Sequence, residues 1–136
     1  MNISVSQMQG NVPVTVLKLD GQLDGQSYQD LIAKARELYN EGARDFILDF
    51  SDLTYISSAG LVALHSVALL AKGEQLPDTD QGWATLRSMG RTSTAGVHTH
   101  VKLYKPREEI MNVLDMVGFG SVFETYTDLD EAVKSF

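Results

Sequence analysis

The chain has no cysteine among its 136 residues. A disulfide framework and thiolate metal sites are therefore excluded. Basic residues are scarce: 11 lysines and arginines stand against 18 acids, a formal net charge of −7. Phosphate backbones need a basic face, so nucleic acid is not expected as a main partner, and an anionic membrane surface is disfavoured likewise. No apolar run approaches the roughly 18 residues that suggest a membrane span. The first residues, M-N-I-S-V-S-Q-M-Q-G, have neither the basic nor the apolar region of a signal peptide. No G-x-x-x-x-G-K-[S/T] phosphate loop is present. The expectation is a cytoplasmic protein without direct membrane insertion. Its length suits one domain around one core.

What is present alternates. Ile3 to Gln9 and Pro13 to Leu19 read as two strands joined by the Gly10-Asn11 turn. Ser27 and Asp30 have capping-box spacing, and Tyr28, Leu31, Ile32, Ala35, Leu38 and Tyr39 follow helical periodicity up to Gly42. Phe46 to Phe50 is a short apolar run suited to a central strand. A second helix is expected from about Ser58 to Lys72. Residues 74–96 read as a long loop insertion, with Trp83, Arg87 and Arg91 its most distinctive side chains and a short helix suggested by Trp83, Leu86 and Met89. A strand from Val97 to Tyr104, a helix opened by Pro106, a strand over Ser121 to Thr125 and a short final helix over Asp128 to Phe136 complete the order. This predicts a single α/β domain over 1–136, with an N-terminal hairpin and then strands and helices in alternation.

The stretch T-Y-I-S-S-A-G, Thr54 to Gly60, lies between the central strand and the second helix. A helix N-terminus carries unpaired N–H groups and partial positive charge. Serine caps it well, and a phosphate is also received there. A phosphoserine adds roughly −1.5 to −2 charges at neutral pH. Asp24, in L-D-G-Q-L-D-G, and Asp49 each follow or end an apolar strand. With those strands adjacent, both carboxylates approach the serine loop and oppose an added phosphate. On the second helix, Leu61, Leu64, Ala68 and Ala71 form the expected inward stripe. The opposite stripe holds Val62, His65, Ser66, Leu69 and Lys72, so Val62 and Leu69 are expected as exposed apolar residues of a docking face.

At these residues the sequence resembles the STAS domain family, and within it the bacterial anti-sigma factor antagonists. G-Q-L-D, Gly21 to Asp24, is similar to the family's G-x-L-D. F-I-L-D-F-S-D-L-T-Y-I-S-S-A-G-L, Phe46 to Leu61, resembles its strand, polar turn and serine loop. V-K-L-Y-K-P-R-E-E-I-M-N-V-L-D-M-V-G-F and the closing E-A-V resemble its later elements. The resemblance implies a mixed sheet of about five strands with helices packed mainly on one face. It implies a module that binds an anti-sigma factor with a histidine-kinase-like serine kinase domain, is phosphorylated by it, and is reset by a serine phosphatase. The acceptor is the second residue before the loop glycine Gly60, which is Ser58; Ser57 and Ala59 complete the loop. Gly21, Leu23, Asp24, Asp49, Val62 and Leu69 are the expected partner-binding positions. Where many switching members carry aspartate before the acceptor, this chain has Ser57. No cofactor is expected.

Two other classes stand beside this one. A STAS module can serve as an unphosphorylated scaffold or as the small subunit of a larger assembly such as a lipid transporter. An enzyme is not expected: two residues before Ser58 lies Ile56 rather than the glycine of a nucleophile elbow. His65 reads as a helix-surface residue. His98 and His100 alternate on one strand but lack a third metal ligand.

Overall fold

The structure, a computed structural model, describes residues 1–72 and 98–136. The expected loop insertion, with Trp83, Arg87 and Arg91, lies outside the described residues. Five strands and four α-helices are described, with a 3-10 turn (Phe119–Ser121) before the last strand: β1 (Asn2–Gln9), β2 (Pro13–Leu23), α1 (Tyr28–Asn40), β3 (Phe46–Ile56), α2 (Ser58–Ala71), β4 (His98–Tyr104), α3 (Glu108–Met116), β5 (Phe123–Tyr126) and α4 (Leu129–Lys134). The five strands form one sheet in the order β1-β2-β3-β4-β5. The β1–β2 hairpin is antiparallel, and every later pairing is parallel. The sheet is therefore mixed, as the resemblance implies.

The reason lies in which strand faces are apolar. Phe46, Ile47, Leu48, Asp49 and Phe50 are all buried, the pattern of a strand covered on both faces. One face carries Leu17, Leu19, Phe46, Leu48, Phe50, Val101 and Leu103 against α1, α2 and α3. The other carries Val14, Val16 and Ile47 against Ala132 and Val133 of α4. Helices thus lie mainly on one face. The α4 side is latched by Lys102, which is buried, donates to Ser135 O and Oγ at 3.1 and 2.8 Å, and pairs with Glu124 at 3.0 Å. A buried ammonium is tolerated because its protons find partners.

Two strands run further than the sequence predicts. β2 continues to Leu23 and β3 to Ile56, because the pair hold each other beyond the end of β4. Register shifts between Lys18 and Asp20, and between Gly21 and Gln22, bend this two-stranded arm. Gly21 sits there at φ +119°.

Candidate functional site at the β3–α2 junction

The arm delivers two strand ends side by side. Leu23 lies opposite Ile56, and Ser57 N–H donates to Leu23 O at 2.9 Å. The chain then turns into α2. Ser57 is extended (φ −97°, ψ 178°) and caps the helix, its Oγ accepting from Gly60 N–H at 3.3 Å. Gly60 is buried against the arm: a Cβ there would meet Leu23 O at 2.6 Å and Ile56 Cγ1 at 2.7 Å. Only glycine lets the first turn of the helix approach the end of β2 so closely.

Ser58 is the first residue of α2 and is partly exposed. Its hydroxyl has no hydrogen-bond partner among the described residues, while Ser57 is committed to the cap. The first turn of α2 contains no acid. The dipole end is thus free of negative charge from its own helix.

Asp24 leaves β2 beside this loop, since Leu23 pairs with Ile56. Its Oδ1 accepts from Gln26 N–H at 3.0 Å and Ser27 N–H at 3.3 Å, so it organises the turn into α1 and stays partly exposed. Ser27 does not form the expected capping box with Asp30. Its side chain makes no cap bond; instead Oγ turns back, donating to Gln22 O at 2.7 Å and accepting from Asp24 N–H at 3.0 Å.

Asp49 is not at the loop. The strand runs seven residues beyond it, on the order of 20 Å, because β3 continues along β2 past the apolar run. Asp49 is 8% exposed and its Oδ1 accepts from Ser51 N–H at 3.0 Å and Ser51 Oγ at 2.6 Å. It stabilises the strand's own bend, and the expected pair of carboxylates around Ser58 is reduced to Asp24.

Val62 is not exposed either, at 5%. The helix S-A-G-L-V-A-L-H-S-V-A-L-L-A carries no charge and is buried nearly all round. Ser66 is buried too and satisfies its hydroxyl on Val62 O at 2.8 Å. Leu69 is partly exposed, Leu23 is core, and Gly21 is partly exposed with its carbonyl accepting from Thr54 Oγ1 at 3.0 Å. One exposed residue escaped the sequence reading: Tyr55, 51% exposed, two positions before the cap. Ending β3 at Phe50 hid it in a turn; with β3 extended it is an aromatic on the arm, opposite Gln22.

His98 and His100 do not converge. His98 packs on Phe123 with ring centroids 4.7 Å apart, and its buried Nδ1 has no partner among the described residues. Burial, then the nearby positive Lys72 and His65, push its pKa down to about 4. His100 instead meets Asp45 at 2.9 Å. Among the described residues no cluster of metal-ligating side chains occurs, and no helix is long and apolar enough to cross a membrane.

A family model described as "Mlab, STAS domain" matches residues 6–77, more than half of the chain. The chain belongs to the STAS domain family. The fold is that of anti-sigma factor antagonists of solved structure. A candidate antagonist from Thermotoga maritima is similar at TM-score 0.67 and 17% identity, covering 97% of this chain and 92% of that one. An anti-sigma factor antagonist from Mycobacterium paratuberculosis is similar at TM-score 0.64 and 16% identity, with 98% and 93% covered. The Bacillus cell fate determinant SpoIIAA in its phosphorylated form gives TM-score 0.60 and 17% identity, with 96% of each chain covered. No protein of curated function matches the chain.

Proposed function

We propose that this chain is an anti-sigma factor antagonist: a binding module that sequesters an anti-sigma factor with serine kinase activity and is released when Ser58 is phosphorylated. One observation carries the reading. Of the two adjacent serines, Ser57 spends its hydroxyl on the helix cap, whereas partly exposed Ser58 has a hydroxyl with no partner among the described residues. Phosphate there meets the positive end of α2 and the carboxylate of Asp24, so it is held locally while it changes the charge of the docking edge. Asp24, Tyr55 and Leu69 supply the exposed part of that edge. Gly21, Leu23, Gly60 and Val62 set its shape from beneath. A serine phosphatase would restore the unmodified state. The role needs no cofactor and no catalysis by this chain: His65 lies about 10 Å along the helix axis from Ser58, by the rise per residue.

A second reading has its own support. The matching family model is described by the name Mlab, and Ser57 stands where many switching antagonists carry aspartate. In that reading the domain is an unphosphorylated scaffold or subunit of a larger complex, such as a lipid transporter.

Intact mass with site mapping, on protein recovered from its native cells in growth and stress, separates the two. A phosphate on Ser58 whose occupancy changes with condition supports the switch, and Ser58→Ala must then abolish it. Ser58→Asp should lose the kinase partner that Ser58→Ala retains. Absence of phosphate in every condition, with stable co-purification in a large complex, overturns the switch in favour of the scaffold.

A further inference from the structure

The two edges of the sheet are defended very differently. β5 has four residues and carries Glu124, held by Lys102 at 3.0 Å. β1 has eight, N-I-S-V-S-Q-M-Q, with no charge, no proline and no glycine. Its pairing with β2 runs from Asn2 to Gln9 without a register shift. A terminal strand offers a row of outward N–H and C=O groups. Folded proteins blunt such rows with short strands, charged side chains, proline or bulges. β1 has none of these devices. In its middle stands Val5, 40% exposed, on the same face as Ile3, which packs on the main core.

We infer that β1 is a self-association edge, on which a second copy of this chain adds its own β1 antiparallel and extends the sheet from five strands to ten. A two-fold axis normal to the sheet keeps each face on its own side. Because side chains alternate, the register must then pair positions of like parity. The axis at Val5 satisfies this: Val5 meets Val5 of the second copy, Ser4 meets Ser6, and Ile3 meets Gln7. The exposed apolar residue is thereby covered by itself. Self-complementarity selects a second copy: about this axis the strand's own sequence pairs exposed, apolar Val5 with itself and polar Ser4 with Ser6. The chain has a net charge of −7, so two copies repel each other wherever their acids face, and the uncharged stripe of β1 is where they can approach.

The test is sedimentation of the full chain across a concentration series. A concentration-dependent species of twice the 15.0 kDa chain mass is expected. Val5→Lys sets two ammonium groups together on the axis and should weaken association by about ten-fold or more. Val5→Thr, β-branched and neutral, should leave it nearly unchanged. Val5→Lys mixed with Val5→Glu should restore the dimer as a heterodimer, which a merely misfolded variant cannot do. A wild-type chain that remains monomeric throughout overturns the proposal. So does a dimer indifferent to Val5→Lys, or a mixture that fails to recover. None of these outcomes depends on Ser58, so the switch and the edge stand or fall separately.

Discussion

Two strand-to-helix turns leave the same end of the arm, and they are built on opposite plans. The β2–α1 turn is closed by side chains: Asp24 Oδ1 accepts two backbone N–H groups, and buried Ser27 bonds both Gln22 O and Asp24 N–H. Its serine has nothing left to offer. The β3–α2 turn is closed by backbone contact: Ser57 N–H on Leu23 O, and a glycine pressed against the same carbonyl. With the turn closed in this way and capped by Ser57, the Ser58 hydroxyl has no hydrogen-bond partner among the described residues. Serine at a helix entrance is common. What separates a structural serine from one available for modification is whether the neighbouring backbone has already closed the turn.

The largest effect that tests this contrast is Gly60→Ala. The added methyl lands 2.6 Å from Leu23 O and 2.7 Å from Ile56 Cγ1, so either the arm or the helix must move. A loss of about 3 kcal/mol is expected in a urea titration. A cost below about 1 kcal/mol would mean the turn is not closed by close approach. A loss of similar size, about 1–3 kcal/mol, is expected from acid at the other end of α2. His98 is held neutral in the fold, with a pKa near 4 against 6.5 when unfolded. The unfolded chain therefore takes up the proton first, and stability present above pH 6.5 drains away as pH falls toward 4. Thermal melts of His98→Phe should lose that slope. Serine-loop variants should keep it, because distant sites add. Ser27→Ala comes next: it strips two bonds from a buried turn, about 1–2 kcal/mol. Ser57→Ala removes one exchangeable cap, about 1 kcal/mol.

How much of this could be read in advance follows the range of the forces involved. The alternation of elements, the central place of the apolar Phe46–Phe50 strand and a serine cap at the entrance of α2 are local signals, and they were legible. The length of β3 was not, because S-D-L-T-Y reads as a polar turn and only pairing with β2 draws it into a strand. That one extension moved Asp49 away from the loop and brought out Tyr55. Val62 was misplaced for a related reason: helical spacing divides any helix into two stripes, but α2 packs against α1, β3 and β4 and has little outside to expose. Gly60 was legible as a family position, yet its reason, a carbonyl from another strand, exists only in the fold.

The smallest stability effect is the most informative. The Ser58 hydroxyl has no hydrogen-bond partner among the described residues, and Ser58 occupies the first helical position. Ser58→Ala should therefore change stability by less than about 0.5 kcal/mol, as surface substitutions do. Ser58→Asp should be neutral or stabilising by about 0.3–1 kcal/mol, since a carboxylate at the positive end of α2 is favourable, with Asp24 nearby subtracting from the gain. The fold is thus indifferent to the very change that is proposed to abolish partner binding. Urea titration of both variants reads the first quantity, and titration against the kinase partner reads the second. If Ser58→Asp lost binding only in proportion to lost stability, the charge would be acting through unfolding, and the contrast between the two turns would carry no regulation.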